Sequence, residues 1–389
     1  MAIENLRDFG LTEQQKEIRR SVRAFAEKEI APHVDRLERE GKYPTEIVAK
    51  MAELGYLGAT VPEEYGGAGL DYLSYGIICE EIARVDWVCA SIISVQNSLV
   101  NSAILNFGTD EQKEKYLIPL ANGKYQSSAC LTEPSGGTDL ASIYTTAKKS
   151  GNKYILNGSK IFISHAAYAN VLYVIATLDR SLKHKGICVF LVDKNTPGIT
   201  IRPLPMHTVK RDNIAEVIFE DVEVPVSNLL GSEGEGFKIL GASLDTGRFS
   251  VACRCIGQAQ ACIDASLKYA RERTQFGKEI GKFQQIQAMI ADMITKTEAA
   301  RQLVYLLGKM KDAGIKRASM TASMAKLLAS EVCFECAANA VQIHGGYGLA
   351  EEFPVGRWLL ESKILHLGEG TSQLHRILIA EYALGIRSY

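Results

Sequence analysis

The sequence lacks an excess of charge of either sign. Its 389 residues include 44 Lys and Arg against 45 Asp and Glu, which gives a formal net charge of -1 at pH 7. Proteins that bind nucleic acid normally present a basic field to the phosphates. The balance of charge therefore argues against a polyanion as the partner, and the hydrophobic share of 47% is that of an ordinary globular protein.

The sequence also shows no uninterrupted apolar run close to the roughly 20 residues that cross a bilayer. Its start, Met1-Ala2-Ile3-Glu4-Asn5, lacks the basic, then apolar, then small-residue order of a signal peptide. We therefore expect no membrane segment. The expected location is the cytoplasm of a bacterium, or the mitochondrial matrix if this is a processed form.

Metal-binding cysteine patterns are scarce, although nine cysteines are present. Cys333 and Cys336 form a C-x-x-C, but no second ligand pair stands at zinc-finger spacing. The pair falls in the apolar helical stretch 326–343, where thiols usually behave as small buried hydrophobes. We interpret the cysteines as structural and reduced, and we expect no metal site.

The pattern of apolar and β-branched residues changes twice along the chain. Helical periodicity runs from Leu11 to about Gly123, with a capping box from Thr12 to Gln15 and a second helix capped by Thr45. Short β-branched runs separated by turns follow to about Val226, and long helices return from Gly236. Because the strands do not alternate with helices, the pattern argues against a doubly wound parallel sheet.

These patterns predict an α+β protein of three domains. We expect an N-terminal all-α domain over residues 1–125, a middle β-barrel or sandwich domain over 126–235, and a C-terminal four-helix bundle over 236–389. The bundle is predicted from helices at 237–273, 283–313, 316–343 and 357–386.

Two segments of the predicted β domain suit a flat or anionic ligand. In the first, Thr132-Glu133-Pro134-Ser135-Gly136-Gly137-Thr138-Asp139, a strand runs into a turn of glycines and hydroxyls that permits close approach of backbone N–H groups. In the second, a hairpin at Asn157-Gly158 leads into a strand whose alternation places Phe162 and Ser164 on one face. Each pattern also fits an ordinary loop or core packing.

Two segments of the predicted bundle carry donors at helix ends. Arg271 to Lys278 ends a long helix and supplies guanidinium groups that suit a pyrophosphate, although a basic helix end also complements the helix dipole. Gln342 to Gly348 follows another helix and offers glycines and amide donors. Neither segment by itself shows whether its residues bind a ligand or only stabilise the helix end.

The most informative segment is Leu365-His366-Leu367-Gly368-Glu369-Gly370-Thr371-Ser372-Gln373. A carboxylate between two glycines and beside apolar residues is poorly placed for a surface role. If water is excluded there, its pKa should rise toward the roughly 6 to 7 that suits a general base. We predict that Glu369 acts on a ligand.

In this order, the five segments resemble the acyl-CoA dehydrogenase family over essentially the whole chain. The resemblance implies FAD as cofactor and α,β-dehydrogenation of an acyl-CoA thioester to the 2-enoyl-CoA. In that reaction Glu369, in the family's E-G-T motif, removes the α proton while the flavin N5 accepts the β hydride. It also implies that a backbone N–H of Glu369 and a ribityl hydroxyl stabilise the thioester oxygen, as an oxyanion hole does.

The resemblance further assigns binding roles. For FAD it implies Leu131, Thr132, Thr138, Phe162, Ser164, Arg273, Gln275, Phe276, Gln284, Gln342, Ile343, Gly345, Gly346, Thr371 and Gln373, of which Arg273 and Gln284 reach the FAD of a neighbouring subunit. For the substrate it implies Thr138, Asp245, Arg248 and Gly370, and Asp139 is a further candidate for the ligand site.

Two positions depart from the family pattern. Phe162 stands where many relatives carry Trp, and Gly368 stands where many carry Tyr, which leaves space beside the acyl chain. The resemblance is nearest to short-chain members, and branched or alicyclic substrates stay open. It also implies an electron-transfer flavoprotein as acceptor and a homotetramer built as a dimer of dimers.

Three other functions stay open. An acyl-CoA oxidase would use oxygen as acceptor, and a flavin monooxygenase on the same fold generally lacks a carboxylate in the position of Glu369. A relative that binds acyl-CoA or flavin without turnover is a third possibility, because fold alone does not fix function.

Overall fold

The protein divides into two compact units, each assembled from separate stretches of the chain. The computed structural model describes residues 6–315 and 318–386. The helical unit contains the described residues up to Val34, Tyr72–Ala90 and those from Arg248 onward. The sheet unit contains Asp35–Asp71 and Ser91–Gly247.

The first helices are α1 (Glu13–Phe25), α2 (Val34–Glu40), α3 (Thr45–Glu53) and α4 (Tyr72–Ala83). The predicted capping box of α1 is confirmed, because Gln15 N donates to Thr12 Oγ1 over 3.2 Å and Thr12 N donates to Gln15 Oε1 over 3.1 Å. The predicted cap at Thr45 is wrong. Thr45 is the first residue of α3, and Pro44 precedes it without a side-chain hydrogen bond to the helix end.

A longer helical stretch, Trp87–Phe107, was not expected from the apolar runs. It consists of α5 (Trp87–Ser94), a π-helical segment (Val95–Asn101) and α6 (Ser102–Phe107). By length and composition alone it would span a membrane, but 83% of its most apolar window is buried within the protein. Its Ser, Gln and Asn residues interrupt the apolar run without adding charge, and its burial is that of a core helix. Helices α7 (Asp110–Gln112) and α8 (Ile118–Ala121) follow it.

The sheet unit is built on one mixed eight-stranded sheet, whose strands run in the order β6-β7-β3-β2-β4-β5-β8, with β1 paired to β4. The pairs are antiparallel except for β1 with β4 and a single pair between β2 and β4. The strands are β1 (Ser127–Cys130), β2 (Thr146–Ser150), β3 (Lys153–Ile163), β4 (Val171–Thr177), β5 (Ile187–Asp193), β6 (Ile199–Pro203), β7 (Ala215–Pro225) and β8 (Leu229–Leu230).

Strand β4 is buried on both faces, which explains why its sequence reads as a continuous apolar run. Its odd-numbered residues, such as Tyr173, pack with helical residues of the same unit, including Leu117. Its even-numbered residues, such as Val174, pack with Phe190 and Phe219. The sheet therefore separates two apolar layers, as the period of two along a strand requires.

The predicted hairpin at Asn157-Gly158 is wrong. Both residues lie inside β3, and the register of β3 against β7 shifts between Leu156 and Gly158. Gly158 has a φ of 146°, and a Cβ there would stand 2.6 Å from the backbone of Thr145. The glycine therefore forms an irregularity in one long strand instead of a turn.

The C-terminal helices are α9 (Gly236–Glu272), α10 (Gln284–Asp312), α11 (Ser319–His344), α12 (Val355–Leu367) and α13 (Ser372–Leu384). The helical unit contains α10 to α13 and the part of α9 that begins at Arg248. The predicted helix 357–386 is in fact two helices, because the backbone reverses its handedness at Glu369 and Gly370. The predicted start of a helix at Lys316 lies outside the described residues.

None of the nine cysteines forms a disulfide, and all are buried. Burial raises the pKa of the Cys255 thiol to about 12 and that of Cys336 to about 11. A thiol with so high a pKa carries little thiolate and is a poor nucleophile or ligand. These residues behave as the small core hydrophobes that the sequence predicts.

Candidate active site

Glu369 stands in a four-residue break between α12 and α13. Helix α12 ends at Leu367, Gly368 is extended, and Thr371 caps α13 by accepting a hydrogen bond from Leu374 N over 3.2 Å. Glu369 has a φ of 55° and Gly370 a φ of 108°. A positive φ at a residue other than glycine costs roughly 1–3 kcal/mol and is concentrated at functional sites. The local backbone therefore singles out Glu369.

One oxygen of the Glu369 carboxyl, Oε2, lacks both water and donors, although the residue as a whole is half-buried. This oxygen has no solvent access and no hydrogen-bond partner among the residues that the structure describes. Burial raises the pKa of Glu369 to about 7, against the opposing charges of Arg254, Arg248 and Lys326. A carboxyl with that pKa exchanges protons near neutrality, which is the property of a general base.

Three residues around Glu369 were not singled out by the sequence. Arg254 lies on α9 with its guanidinium 4.4 Å from the ring centre of Trp87. Lys326 on α11 is fully buried and donates to Gly370 O over 2.6 Å. His375 on α13 is also fully buried, and burial lowers the pKa of His375 to about 3. Only Lys326 left a signal in the sequence, as a charge within an apolar helical stretch.

Five of the predicted cofactor residues line one surface groove of about 550 Å³ in the helical unit. The groove lies where α9 and α11 end, and the guanidinium of Arg273 lies 5.6 Å from the ring centre of Tyr347. A Cβ at Gly345 or Gly346 would meet no atom within 4 Å, so both backbones face open space. The predicted residues in the groove are Arg273, Gln275, Ile343, Gly345 and Gly346.

Four predicted residues of the sheet unit come together at the end of β3. Ile161 N donates to Thr132 O over 2.8 Å, and Lys160 Nζ donates to Leu131 O over 3.3 Å. On the other side, Ser128 Oγ donates to Ser164 O over 2.5 Å. The turn after β1 is thus joined to the segment that carries Phe162 and Ser164.

The orientation of Phe162 has a different cause from the predicted strand alternation. The register of β3 shifts between Lys160 and Ile163, and Phe162 has a φ of 60°. Its side chain is 59% exposed although it belongs to an otherwise buried strand end. The predicted alternation of Phe162 with Ser164 is therefore wrong, and a local bulge presents the ring.

The remaining predicted residues are less closely gathered. Phe276 is 93% exposed and packs against Phe283. Asp245 is buried on α9, and Arg248 on the same helix acts on the charge of Glu369. Exposed or half-buried positions are occupied by Thr138, Asp139, Gln284, Gln342, Thr371 and Gln373.

The residues of both units fit a flavin nucleotide. Phe162 offers an exposed ring beside backbone groups in the sheet unit, and a Cβ at Gly136 in the adjoining turn would meet no atom within 4 Å. The helical unit offers the groove with Arg273, which suits a pyrophosphate, and the unpartnered carboxyl of Glu369. Taken by itself, each unit thus offers groups of the kind that bind part of a flavin nucleotide.

Comparison with known proteins identifies the family. The chain matches the profiles of the acyl-CoA dehydrogenase N-terminal domain over residues 12–124, the middle domain over 128–222 and the C-terminal domain over 234–384. It is 42% identical over 383 residues to the mitochondrial short-chain specific acyl-CoA dehydrogenase of Mus musculus, covering 97% of this chain and 92% of the relative.

Two further relatives match over nearly their whole length. The caffeyl-CoA reductase-Etf complex subunit CarC of Acetobacterium woodii is 43% identical over 372 residues, which cover 95% of this chain and 98% of the relative. The solved structure of butyryl-CoA dehydrogenase from Megasphaera elsdenii superposes with a TM-score of 0.94 at 39% identity, covering 97% of this chain and 100% of that one.

The chain therefore belongs to the acyl-CoA dehydrogenase family, as the resemblance of its motifs predicts. It is an oxidoreductase acting on CH–CH groups, its cofactor is FAD, and its substrates are acyl-CoA thioesters. The predicted α+β fold, with helical N-terminal and C-terminal parts and a middle β part, is confirmed.

Proposed function

We propose that this enzyme oxidises a short-chain, branched or alicyclic acyl-CoA to the 2-enoyl-CoA, with Glu369 as the base that removes the α proton. One observation carries the proposal: Oε2 of Glu369 is buried and lacks a hydrogen-bond partner among the described residues, and burial raises the pKa of the carboxyl to about 7. A carboxylate in that state gains more from accepting a proton than one already satisfied by donors.

Other residues of the chain would bind the cofactor. Leu131, Thr132, Phe162 and Ser164 would hold the flavin in the sheet unit, and Thr371 with Gln373 would contact the nucleotide in the helical unit. FAD, when bound, supplies the hydride acceptor for the β carbon. The proton from the α carbon goes to the carboxylate of Glu369.

Stabilising the developing negative charge on the thioester oxygen requires donors that are not already engaged. The N–H of Glu369 makes no backbone hydrogen bond within residues 6–315 and 318–386. The extended backbone of Gly368, with a ψ of 143°, turns this N–H away from the hydrogen-bond pattern of α12. We therefore assign it to the oxyanion, and we place Asp245, Arg248, Thr138 and Gly370 among the groups that hold the CoA thioester.

The test uses the purified FAD-loaded enzyme without oxygen. Addition of a saturated acyl-CoA should bleach the flavin of the wild type, and Glu369→Gln should slow the bleaching by about 10²- to 10⁴-fold because the amide accepts no proton. Glu351→Gln, which alters an exposed carboxylate, serves as the matched control and should react at the wild-type rate. Wild-type rates in Glu369→Gln would disprove the proposal, and a wild type that never bleaches would indicate a non-catalytic binding protein.

For the acyl group, the space beside the base supports a broad short-chain pocket. A Cβ at Gly368 would meet only Ile364 O at 3.6 Å, and Gly368 has a φ of -62° that any residue tolerates. The names of the relatives, butyryl-CoA dehydrogenase and short-chain specific dehydrogenase, point the same way. A panel of linear, branched, alicyclic and dicarboxylic acyl-CoA thioesters should show fastest bleaching with short chains. In Gly368→Tyr, the rate of bleaching should fall most for the branched acyl-CoA thioesters.

For the electron acceptor we propose an electron-transfer flavoprotein, because one close relative is named as part of a complex with Etf. That relative is also named a reductase, so reduction of a 2-enoyl-CoA is the second candidate direction. Reoxidation of the reduced enzyme should be faster with the flavoprotein than with air. Rapid reoxidation by oxygen would instead favour an oxidase, and an oxygenated product would favour a monooxygenase.

We propose a homotetramer, arranged as a dimer of dimers, because the helical unit exposes large apolar side chains. Light scattering on the holoenzyme should give four times the 42.6 kDa chain mass. A cytoplasmic location and the three domains at 1–125, 126–235 and 236–389 are also proposals. The exposed apolar residues include Leu306, Leu349, Leu360, Ile377, Tyr382 and Leu384.

A further inference from the structure

Lys326 is a fully buried cation whose partners are backbone carbonyls. It lies in the second turn of α11, and its Nζ donates to Gly370 O over 2.6 Å and to His366 O over 3.2 Å. Within the described residues, no carboxylate lies at ion-pair distance from it. Burying an ammonium costs several kcal/mol unless its partners compensate. A lysine kept in such a place without an ion pair needs a reason beyond packing.

The two carbonyls stand on either side of the proposed base. His366 O belongs to the last turn of α12, where carbonyls lack partners within the helix, and Gly370 O follows Glu369 directly. A cation at that helix end also complements the negative end of the helix dipole. Lys326 therefore joins the end of α12 to the residue after Glu369, across the break that carries the carboxylate.

A second contact fixes the same segment to the same helix. The His366 ring Nε2 lies 2.8 Å from Ser330 O, one turn further along α11. Glu369 and Gly370 hold positive φ values of 55° and 108°, a conformation that persists only when its surroundings enforce it. The two contacts with α11 supply that enforcement.

The charged and titratable groups around the Glu369 carboxyl and the Lys326 ammonium come from four helices. Helix α9 contributes Arg248, Arg254 and Cys255, α11 contributes Lys326 and Glu331, α12 contributes His366, and α13 contributes His375. Lys326 combines a positive charge with hydrogen bonds to the backbone that flanks Glu369. Removing it changes both the field at the carboxyl and the freedom of the segment.

We propose that Lys326 is a positioning residue that fixes the Glu369 segment through the carbonyls of His366 and Gly370 and holds the carboxylate charged through its ammonium. The inference rests on the proposed role of Glu369 as base. It assigns to Lys326 no contact with substrate or cofactor.

The test compares Lys326→Met, which removes the charge and the donors, with Lys326→Arg, which keeps both. The midpoint of Glu369 protonation is read on the FAD-loaded enzyme from the carboxyl infrared band that disappears in Glu369→Gln. In Lys326→Met this midpoint should rise by about one pH unit. Flavin reduction near pH 7 should fall by about tenfold or more, mainly in kcat. Lys326→Arg should keep the protonation midpoint of Glu369 and the rate of flavin reduction close to those of the wild type.

The control is Lys296→Met, which removes an exposed lysine paired with Glu335 and should change neither readout. A purely structural lysine would lower the thermal midpoint of Lys326→Met and leave the protonation midpoint of Glu369 in place, and that result would overturn the proposal. If Lys326→Met does not fold, Lys326→Gln against Lys326→Arg decides by the same midpoint. Failure of all three variants to fold would assign Lys326 to folding and also overturn it.

The infrared midpoint does not depend on turnover. If the wild type reduced no flavin with any acyl-CoA, the proposed function would fail, and a shifted midpoint in Lys326→Met would still support the electrostatic part of the inference. If the wild type reacts and the midpoint does not move, only the inference on Lys326 fails.

Discussion

The two units each bury a glutamate beside a turn, and the two carboxyl groups have opposite properties. In the sheet unit, Glu133 accepts hydrogen bonds from Lys160 Nζ over 2.7 Å, Tyr144 N over 2.6 Å and Thr145 N over 2.9 Å. Burial opposes its ionisation, but Lys160 and the donors outweigh burial, and the pKa of Glu133 falls below its usual value. In the helical unit, Glu369 has no such donors at Oε2, and burial raises its pKa to about 7.

The comparison indicates that the local supply of donors and charges decides whether burial raises or fails to raise the pKa of a glutamate. Glu133 joins the turn after β1 to β3 through Lys160 and to the start of β2 through two backbone amides. The negative charge of Glu133 is compensated by hydrogen-bond donors within the fold. Glu369 keeps a proton affinity that the fold does not satisfy, which leaves it available to a substrate.

The largest expected effect is on stability in the sheet unit. Glu133→Ala should lower the free energy of unfolding by about 3–5 kcal/mol, because it leaves the fully buried Lys160 ammonium without its partner. Denaturation followed by a signal from the sheet unit measures this. Glu369→Gln is the matched comparison and should cause no such loss. Equal losses in the two variants would show that donor count does not separate the two glutamates.

The next effect concerns rate. Because Glu369 must be ionised to accept the proton and its pKa is about 7, kcat/KM should fall as pH drops through 7. The fall is about tenfold per unit, so the value at pH 5 should be about a hundredfold below the plateau. Steady-state profiles on the holoenzyme test this, with Glu351→Gln as control. A profile that falls only near the usual glutamate pKa of 4.5 would contradict the assignment of Glu369.

A smaller effect is expected on the stability of Glu369→Gln. The folded pKa of Glu369 is raised, so the stability gained from the protonated form is complete below pH 4.5 and is lost as pH rises through about 7. The amide does not pay this cost. Above pH 7, Glu369→Gln should therefore exceed the wild type by about 1–2 kcal/mol, allowing for partial solvation, with no difference near pH 4. Equal stabilities at both pH values would argue that the carboxyl is hydrated.

The smallest effect is expected when both members of the structural pair are removed. In Glu133→Gln with Lys160→Met, no buried charge is left unpaired, and the loss of stability should shrink to about 1 kcal/mol. Denaturation of the double variant beside the two single variants gives the coupling energy. If the double variant is as unstable as Glu133→Ala, the backbone hydrogen bonds of Tyr144 and Thr145 carry the stability instead of the ion pair.

Much of the fold could be predicted because its signals are local. The period of β-branched runs located five strands, and the glycines at 345–346 marked a real interruption of a helix. The predictions failed where one residue type is compatible with several local backbone structures. Thr45 begins a helix without capping it, Gly158 bends a strand instead of turning a hairpin, and the helix predicted over 357–386 stops at Leu367.

By itself, the sequence determined the order of helical and β segments and the family, and it named Glu369 as the candidate base, because periodicity and flanking glycines are properties of neighbouring residues. The tertiary structure alone decided which buried charges act on one another. Lys326 lies 43 positions before Glu369 in the chain. Only the packing of α11 against α12 and α13 brings its ammonium to the carbonyls that flank the base, and only burial sets the pKa of that base near neutrality.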